Sequence, residues 1–425
     1  MGLDWENKNY RNYRRRLRLA LVLLLLAAVA ASAFWLLHRD AAGDVEAPAV
    51  KKSPSGSGSV SQSIPLETPK PTAEIPGDIA PELPVSKDDS SPELSAARQT
   101  AEELFSAGKF QAALEAYKRL TLTDPFSRGR TGLCLAQLGR WSEAVSELQA
   151  AVNAQPDDFV ARKCLAQALY RQNELELALE QVQAALALQA DDFLLELQAK
   201  LQKEIRVQRN YDDARTANFV VLFDGYEHEE MKYIVLDILK SAYADIGKEL
   251  DYFPKQPISV ILYTAKDFSD VTSAPMWVGG MFGKLDGKIR VPVQGAAGNE
   301  RTLHRVLYHE YTHALIYALA PDCPLWLQEG LAQYFCGDEP VNISQVIPLR
   351  LLVNGFPNEP RAAFAAYMES LQVVYDLVEE HGMSRLRGLL DKLSGGNDLE
   401  KAFAASYGRP FNRWAKQWRP LKGEE

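Results

Sequence analysis

The sequence predicts an α-solenoid followed by an α+β domain, with a single membrane-spanning helix ahead of both. Three observations carry this. Between residues 93 and 208 a turn-and-helix pattern recurs at a nearly constant step. After residue 209, short strand-like apolar runs give way to long helix-patterned ones. Residues 19–37 contain no charged side chain at all.

The chain has 425 residues, enough for two or three domains. Its 47% hydrophobic and 24% charged residues are ordinary for globular protein. A net charge of −9 argues against nucleic acid as a partner. The N-terminus departs from that balance. Residues 1–18 carry Lys8, Arg11, Arg14, Arg15, Arg16 and Arg18 against Asp4 and Glu6. The uncharged run at 19–37 would span roughly 28 Å as a helix, about the thickness of a bilayer core. Trp35 falls near one interface, and Asp40, Asp44 and Glu46 follow. The positive-inside rule keeps residues 1–18 in the cytoplasm and sends the rest across. Ala31-Ser32-Ala33 resembles a signal-peptide cleavage site, but the apolar run continues to Leu37, which favours an uncleaved anchor.

Residues 39–92 read as a disordered linker, with recurrent proline from Pro48 to Pro92 and Ser-Gly-Ser-Gly-Ser at 55–59. As a coil it reaches roughly 40 Å. Residues 93–208 follow with three matching sets of positions: Gly108, Phe110, Ala113, Pro125; Gly139, Trp141, Ala144, Pro156; and, more loosely, Asn173, Leu175, Ala178, Ala190. Offsets are identical within each set, and the sets lie 31 and 34 residues apart. A small residue at a fixed place lets two helices pack closely. The pattern resembles tetratricopeptide repeats, about three of them, with a last helix at 191–208 as the cap. That resemblance implies a concave surface for a protein partner; a spacer is the other reading.

From 209 to 425 a different domain is expected. Residues 217–223 and 257–263 are strand candidates. Residues 227–253 form an amphipathic helix with Met231, Ile234, Val235, Ile238, Leu239, Ala242, Ile246 and Leu250 on one stripe. Residues 276–293 read as strand, Gly-containing bend and strand, and Asn299 as the cap of the next helix.

That next helix holds His309, Glu310 and His313, an H-E-x-x-H motif. Histidines at i and i+4 lie one turn apart on one face, so both imidazoles can reach one metal ion. Glu310 projects beside that ion, placed to take a proton from the attacking water. Val306, Leu307, Leu315, Ile316 and Leu319 supply the apolar face of a buried helix. Pro321 and Pro324 end it, and the chain can fold back to bring Glu329 up as a third ligand. Two imidazoles and a carboxylate suit zinc, one ion per chain, without demanding it.

H-E-Y-T-H followed by P-L-W-L-Q-E-G-L-A-Q-Y-F resembles the gluzincin metallopeptidases, and most of all the bacterial peptidase MA-like domains often fused to tetratricopeptide repeats. The resemblance covers about half the chain and is sharpest at residues 303–335. It implies a gluzincin-like α+β fold, zinc held by His309, His313 and Glu329, Glu310 as general base, and a peptide or protein substrate. Gly279, Gly280 and Met281 stand where zinc aminopeptidases place a substrate-pairing edge strand. Phe282 replaces the glutamate that would hold a free amine there, which weakens the aminopeptidase reading in favour of an endopeptidase; a Gly-rich hairpin is the plainer alternative. Residues 366–377 resemble the start of the helix whose leading tyrosine stabilises the oxyanion, which makes Tyr367 the candidate and Tyr375 the fallback. Aromatic packing by an amphipathic helix explains both without chemistry.

His304 points elsewhere on its helix, and His38, His228 and His381 stand alone. Cys134 and Cys164 fit buried free thiols, and Cys323 and Cys336 are too far apart along a helix for a disulfide. The expected whole is a single-pass protein of the bacterial inner membrane, with its repeats and peptidase in the periplasm. The alternative is a non-catalytic envelope scaffold working through its repeats.

Overall fold

The structure is a computed structural model that describes residues 92–120, 125–225, 229–274, 278–293, 300–341, 346–357 and 359–419. The expected basic segment, the membrane span at 19–37 and the linker up to residue 91 lie outside the described residues, as do Asn299 and His228. Among the described residues no helix is long and apolar enough to cross a membrane.

The solenoid consists of helices α1 (Pro92–Ser106) and α2 (Phe110–Leu120), α3 (Pro125–Gln137) and α4 (Trp141–Ala154), α5 (Phe159–Arg171) and α6 (Leu175–Leu188), then α7 (Asp192–Gln208). This is three helix pairs and a terminal helix, as the repeat step predicts. The three sets of positions mark the turn inside each pair. Gly108, Gly139 and Asn173 all have positive φ (69°, 71° and 63°), a left-handed conformation that glycine and asparagine tolerate best. Ala113, Ala144 and Ala178 are fully buried where the paired helices meet. Asp158 and Asp191 cap α5 and α7 by accepting the backbone N–H of Ala161 and Leu194.

The second domain is built on a five-stranded sheet in the order β1-β2-β3-β5-β4: β1 (Tyr211–Arg215), β2 (Phe219–Asp224), β3 (Ile258–Tyr263), β4 (Met281–Gly283) and β5 (Lys288–Pro292). The three central strands are parallel and both edges are antiparallel. Helices α8 (Glu229–Glu249) and α9 (Ala265–Thr272) make the parallel crossovers. Sheet and helices thus interleave, a mixed α/β plan rather than a sheet followed by helices. Strand β1 went unread in the sequence because Y-D-D-A-R has no apolar alternation; it lies at an exposed edge. On α8 the apolar stripe is buried from Val235 to Leu250, but Ile234 faces solvent.

Alternation along the strands assigns the two faces of the sheet. Val221, Phe223, Val260, Leu262, Ile289 and Val291 join the main core with α8 and α10 (Glu300–Leu319). Leu222, Ile261 and Tyr263 pack on the opposite face with Phe268 and Val271 of α9. Beyond α10 come α11 (Leu325–Phe335), a 3-10 turn (Leu349–Leu352), α12 (Pro360–His381), α13 (Met383–Ser394), α14 (Leu399–Tyr407) and α15 (Phe411–Gln417). Trp326 of α11 is fully buried and stacks on Phe411 at 5.6 Å. Trp414 packs on Phe403, so the C-terminal tail serves the core.

Helix α11 meets α12 at Gly330. A Cβ built there would lie 2.3 Å from the backbone oxygen of Ser370 and 2.7 Å from Val374 Cγ2. Backbone cannot swing aside as a side chain can. Gly330→Ala is therefore expected to destabilise the fold by about 3 kcal/mol, the upper range of overpacking, measured as a lower urea midpoint at unchanged m-value.

Candidate metal centre

Helix α10 divides its surface between a core and a cleft. Tyr311 packs edge-on against Phe219 of β2 at 5.6 Å, and the Tyr308 hydroxyl donates to Asp245 of α8 at 2.7 Å. These contacts fix the rotation of the helix and leave His309 and His313 on the other side. Arg305, one turn earlier, forks onto Asp338 just past α11 with two bonds of 2.6 Å. The start of α10 is thereby tied to the end of α11, so α11 doubles back along α10 and carries Glu329 to the histidines.

The donor atoms converge. His309 Nε2 and His313 Nε2 are 3.2 Å apart, and each lies 3.6 Å from Glu329 Oε2. Two ligands about 2.0–2.1 Å from a zinc ion at the tetrahedral angle stand roughly 3.3 Å apart. The three residues form the group able to hold a metal ion among the described residues. Burial alone would raise the Glu329 carboxyl. The two imidazoles, His313 first and then His309, each 3.6 Å away, overcome that and hold it well below its usual range. The site thus keeps a carboxylate ionised in a half-buried cleft, as a metal ligand must be.

Glu310 is 8% exposed. Burial and the neighbouring Glu329 charge raise its carboxyl to about 7, while His309 and the backbone N–H of Phe282 oppose that rise. The N–H comes from β4, the edge strand. Gly280 lies still closer: a Cβ there would meet Glu310 Cγ at 2.9 Å and Val306 Cγ1 at 2.7 Å. The strand is shorter than its sequence suggested. Only Met281–Gly283 pair with β5; Gly279 and Gly280 precede the ladder, and residues 275–277 lie outside the described residues. The Phe282 ring turns away and packs on Tyr317 of α10 at 5.8 Å. Gly280 therefore sits against the Glu310 side chain and Gly279 against Val306, and Met281 is on the edge strand itself.

Tyr367 is not at a helix start, as expected for residues 366–377, but in the second turn of α12. The helix begins earlier because Pro360 presets its first turn and Glu359 caps it, accepting the Ala362 N–H at 2.7 Å. The tyrosine is 39% exposed. Burial first, then the charges of Glu329 and Glu310, push its phenol well up, so it stands within electrostatic reach of both carboxylates. Phe356 packs edge-on against its ring at 4.9 Å. The fallback, Tyr375, is committed elsewhere: its hydroxyl donates to the Asp338 carbonyl at 3.1 Å. His304 is outside the triad and stacks on Tyr308, and His381 packs on Tyr407. All four cysteines are free thiols, and burial raises those of Cys134 and Cys164 to about 12.

Two buried polar residues of α11 and α12 escaped sequence reasoning. Gln333, one turn after Glu329, donates to the Tyr367 carbonyl at 2.9 Å and so sets the tyrosine against the ligand helix. The i+4 spacing from Glu329 was its only available signal. Glu369 is fully buried, accepts the Ile347 N–H at 2.7 Å, and has no partner for its second oxygen among the described residues.

Residues 239–422 match the Peptidase MA superfamily, and residues 98–159 and 132–193 match the tetratricopeptide repeat. The first match begins inside α8, so β1 and β2 precede it. No curated protein matches the chain.

Burial raises the Glu369 carboxyl from 4.5 to about 7, against the Ile347 N–H. A folded value above the unfolded one means that the native state holds this proton more tightly. Its contribution to stability is present below about pH 4.5 and is lost as pH rises through 7. Glu369→Gln keeps an acceptor for Ile347 and cannot ionise. Urea unfolding at pH 8 is expected to show the variant more stable than wild type by up to about 3 kcal/mol, with no such gain at pH 4.5.

Proposed function

We propose that this chain, a tetratricopeptide-repeat protein that carries a Peptidase MA superfamily domain, is a zinc-dependent peptidase anchored in the bacterial inner membrane. The observation that carries the peptidase reading is the convergence of His309, His313 and Glu329 beside the buried carboxylate of Glu310.

Zinc held by that triad supplies an electrophile for a peptide carbonyl and acidifies water. The rest of the work falls to the chain. Glu310 takes a proton from the attacking water and returns it to the leaving amine. Its carboxyl is buried beside the triad, and the backbone at Gly280 packs against its side chain and limits where it can point. Tyr367, kept protonated, donates to the oxygen that gains charge as the carbonyl is attacked. The open edge of β4 around Gly279, Gly280 and Met281 accepts an extended substrate segment as an added strand. With Phe282 in place of an amine-binding carboxylate, the substrate runs through the site, so the activity is that of an endopeptidase on envelope proteins or peptides.

The uncharged run at 19–37 serves as the anchor, residues 1–18 stay in the cytoplasm, and the folded domains stand in the periplasm beyond the linker. The repeats present a surface to a protein partner or to the substrate itself.

The full chain is the material for the test, with metal analysis beside cleavage of casein and a peptide library. One zinc per chain is expected, with cleavage stopped by a chelator and restored by zinc. Glu310→Gln is expected to keep the metal and lose about 10²–10⁴ in kcat. Tyr367→Phe is expected to lose about 10² in kcat with KM little changed. Zinc bound without cleavage by the wild type would favour the scaffold, and a folded chain that binds no zinc would sink the reading.

A further inference from the structure

The β4–β5 hairpin has a second set of partners, and they all come from the repeats. Arg290 of β5 is 1% exposed and reaches across to the solenoid. Its Nη2 donates to Glu204 Oε1 of α7 at 2.8 Å and to the Tyr170 hydroxyl of α5 at 3.2 Å. It also pairs with Asp286 at the hairpin tip. Lys288 is fully buried and donates to Asn173 Oδ1 at 2.6 Å, with Glu204 Oε2 4.0 Å away. Arg171 donates to the Lys284 carbonyl at 3.0 Å. Tyr170, Arg171 and Asn173 belong to the third repeat, and Glu204 to its terminal helix.

The same hairpin reaches the metal centre from its other side. Arg290 is paired with Met281 across the ladder, and Gly280, the residue before Met281, packs so closely on α10 that a Cβ there would meet Glu310 Cγ at 2.9 Å and Val306 Cγ1 at 2.7 Å. One backbone step therefore separates the ladder partner of the buried Arg290 from the backbone that packs against the general base. Asn173 marks the connection in the sequence. Where the first two repeats have glycine, the third has a residue that adopts the same left-handed turn and offers an amide, whose Nδ2 also donates to Gln208 at 3.2 Å.

We propose that Arg290, Glu204 and Asn173 are positioning residues for this site. The third repeat and α7 hold the β4–β5 hairpin in place, and through Gly280, just before β4, they fix the backbone against which the Glu310 side chain rests. The proposal rests on the peptidase reading for its kinetic consequence alone. The repeats are thus a wall of the catalytic unit as well as a binding surface, and residues 209–425 without them lack the groups that hold their own edge strand.

The test uses the full chain and two variants. Arg290→Lys keeps the charge but loses the fork that spans Glu204, Asp286 and Tyr170. Asn173→Gly restores the turn residue of the other repeats and removes the side-chain amide, with its bonds to Lys288 and Gln208, while the left-handed turn is kept. Zinc content, kcat and KM on the best-cut peptide, and hydrogen exchange at the Phe282 amide are measured together. Both variants are expected to keep one zinc and a KM within about threefold of wild type. The kcat is expected to fall about tenfold to a hundredfold in Arg290→Lys and less in Asn173→Gly. Exchange at Phe282 is expected to speed up at least about tenfold while the α10 amides keep their rates. Lower unfolding midpoints with kcat and Phe282 exchange both at wild-type values would overturn the proposal, leaving the network a purely structural role. If the wild type cuts no peptide, the peptidase reading fails by itself, and the exchange rates still decide this one.

Discussion

Glu329 faces two imidazoles only because α11 lies against α12 with no side chain between them at Gly330. That contact sets the depth of α11, and the depth sets where its carboxylate ends. A carboxylate in a half-buried cleft is expensive unless polar groups or a cation meet it. The histidines meet it from α10, at 3.6 Å each, and Arg305 with Asp338 locks the two helices in register. The tyrosine helix is drawn into the same arrangement, since Gln333 of α11 holds the Tyr367 carbonyl. Three helices thus share one constraint.

The hairpin supplies the fourth wall, and period-2 alternation explains how it serves two neighbours. Ile289 and Val291 of β5 point into the core beneath α10. Lys288 and Arg290, which alternate with them in sequence, point the opposite way into the repeats. Charges buried so deeply gain little net stability as pairs, because desolvation offsets most of the attraction, but removing one partner typically costs about 3–5 kcal/mol. Such a contact is directional where an apolar patch is not. The Arg290 guanidinium meets Glu204, Tyr170 and Asp286 in one orientation, whereas an apolar seam would have allowed the hairpin to slide by the fraction of an ångström that catalysis does not forgive.

The parts of this protein written in local chemistry were legible in its sequence. The repeat step was readable because each pair must turn through a left-handed residue and pack on a buried alanine. The triad was readable because metal ligation fixes spacing on a helix, and Glu329 followed from the prolines that end α10. Tyr367 was legible as a candidate, although its place within α12 was not. What stayed hidden depends on distant elements. Phe282 was noticed for its side chain, yet that ring packs on Tyr317, and it is the backbone at Gly280 that lies against Glu310. Lys288 and Arg290 fell inside a strand candidate that gave them no role, and it is the solenoid packed over them that makes them buried. Strand β1 belongs to the sheet mainly through backbone pairing, with only Tyr211 and Ala214 packed on the cores, which leaves little apolar trace.

The looseness of the third repeat is the instructive case. Asn173 and Leu175 depart from the Gly and aromatic residue of the first two sets, and taken alone this reads as decay of a repeat toward its end. The structure gives the departure a cause. A terminal repeat has no following repeat to cover it, so its exposed surface must either become polar or find another body to pack on. Here it does the second: Asn173, Arg171 and Tyr170 exchange repeat-to-repeat packing for hydrogen bonds to the hairpin and its charges. The turn still needs a residue that accepts positive φ, and asparagine meets that need while also supplying the acceptor for Lys288. The deviation from the repeat pattern is therefore where the solenoid stops being a repeat and becomes part of the neighbouring domain.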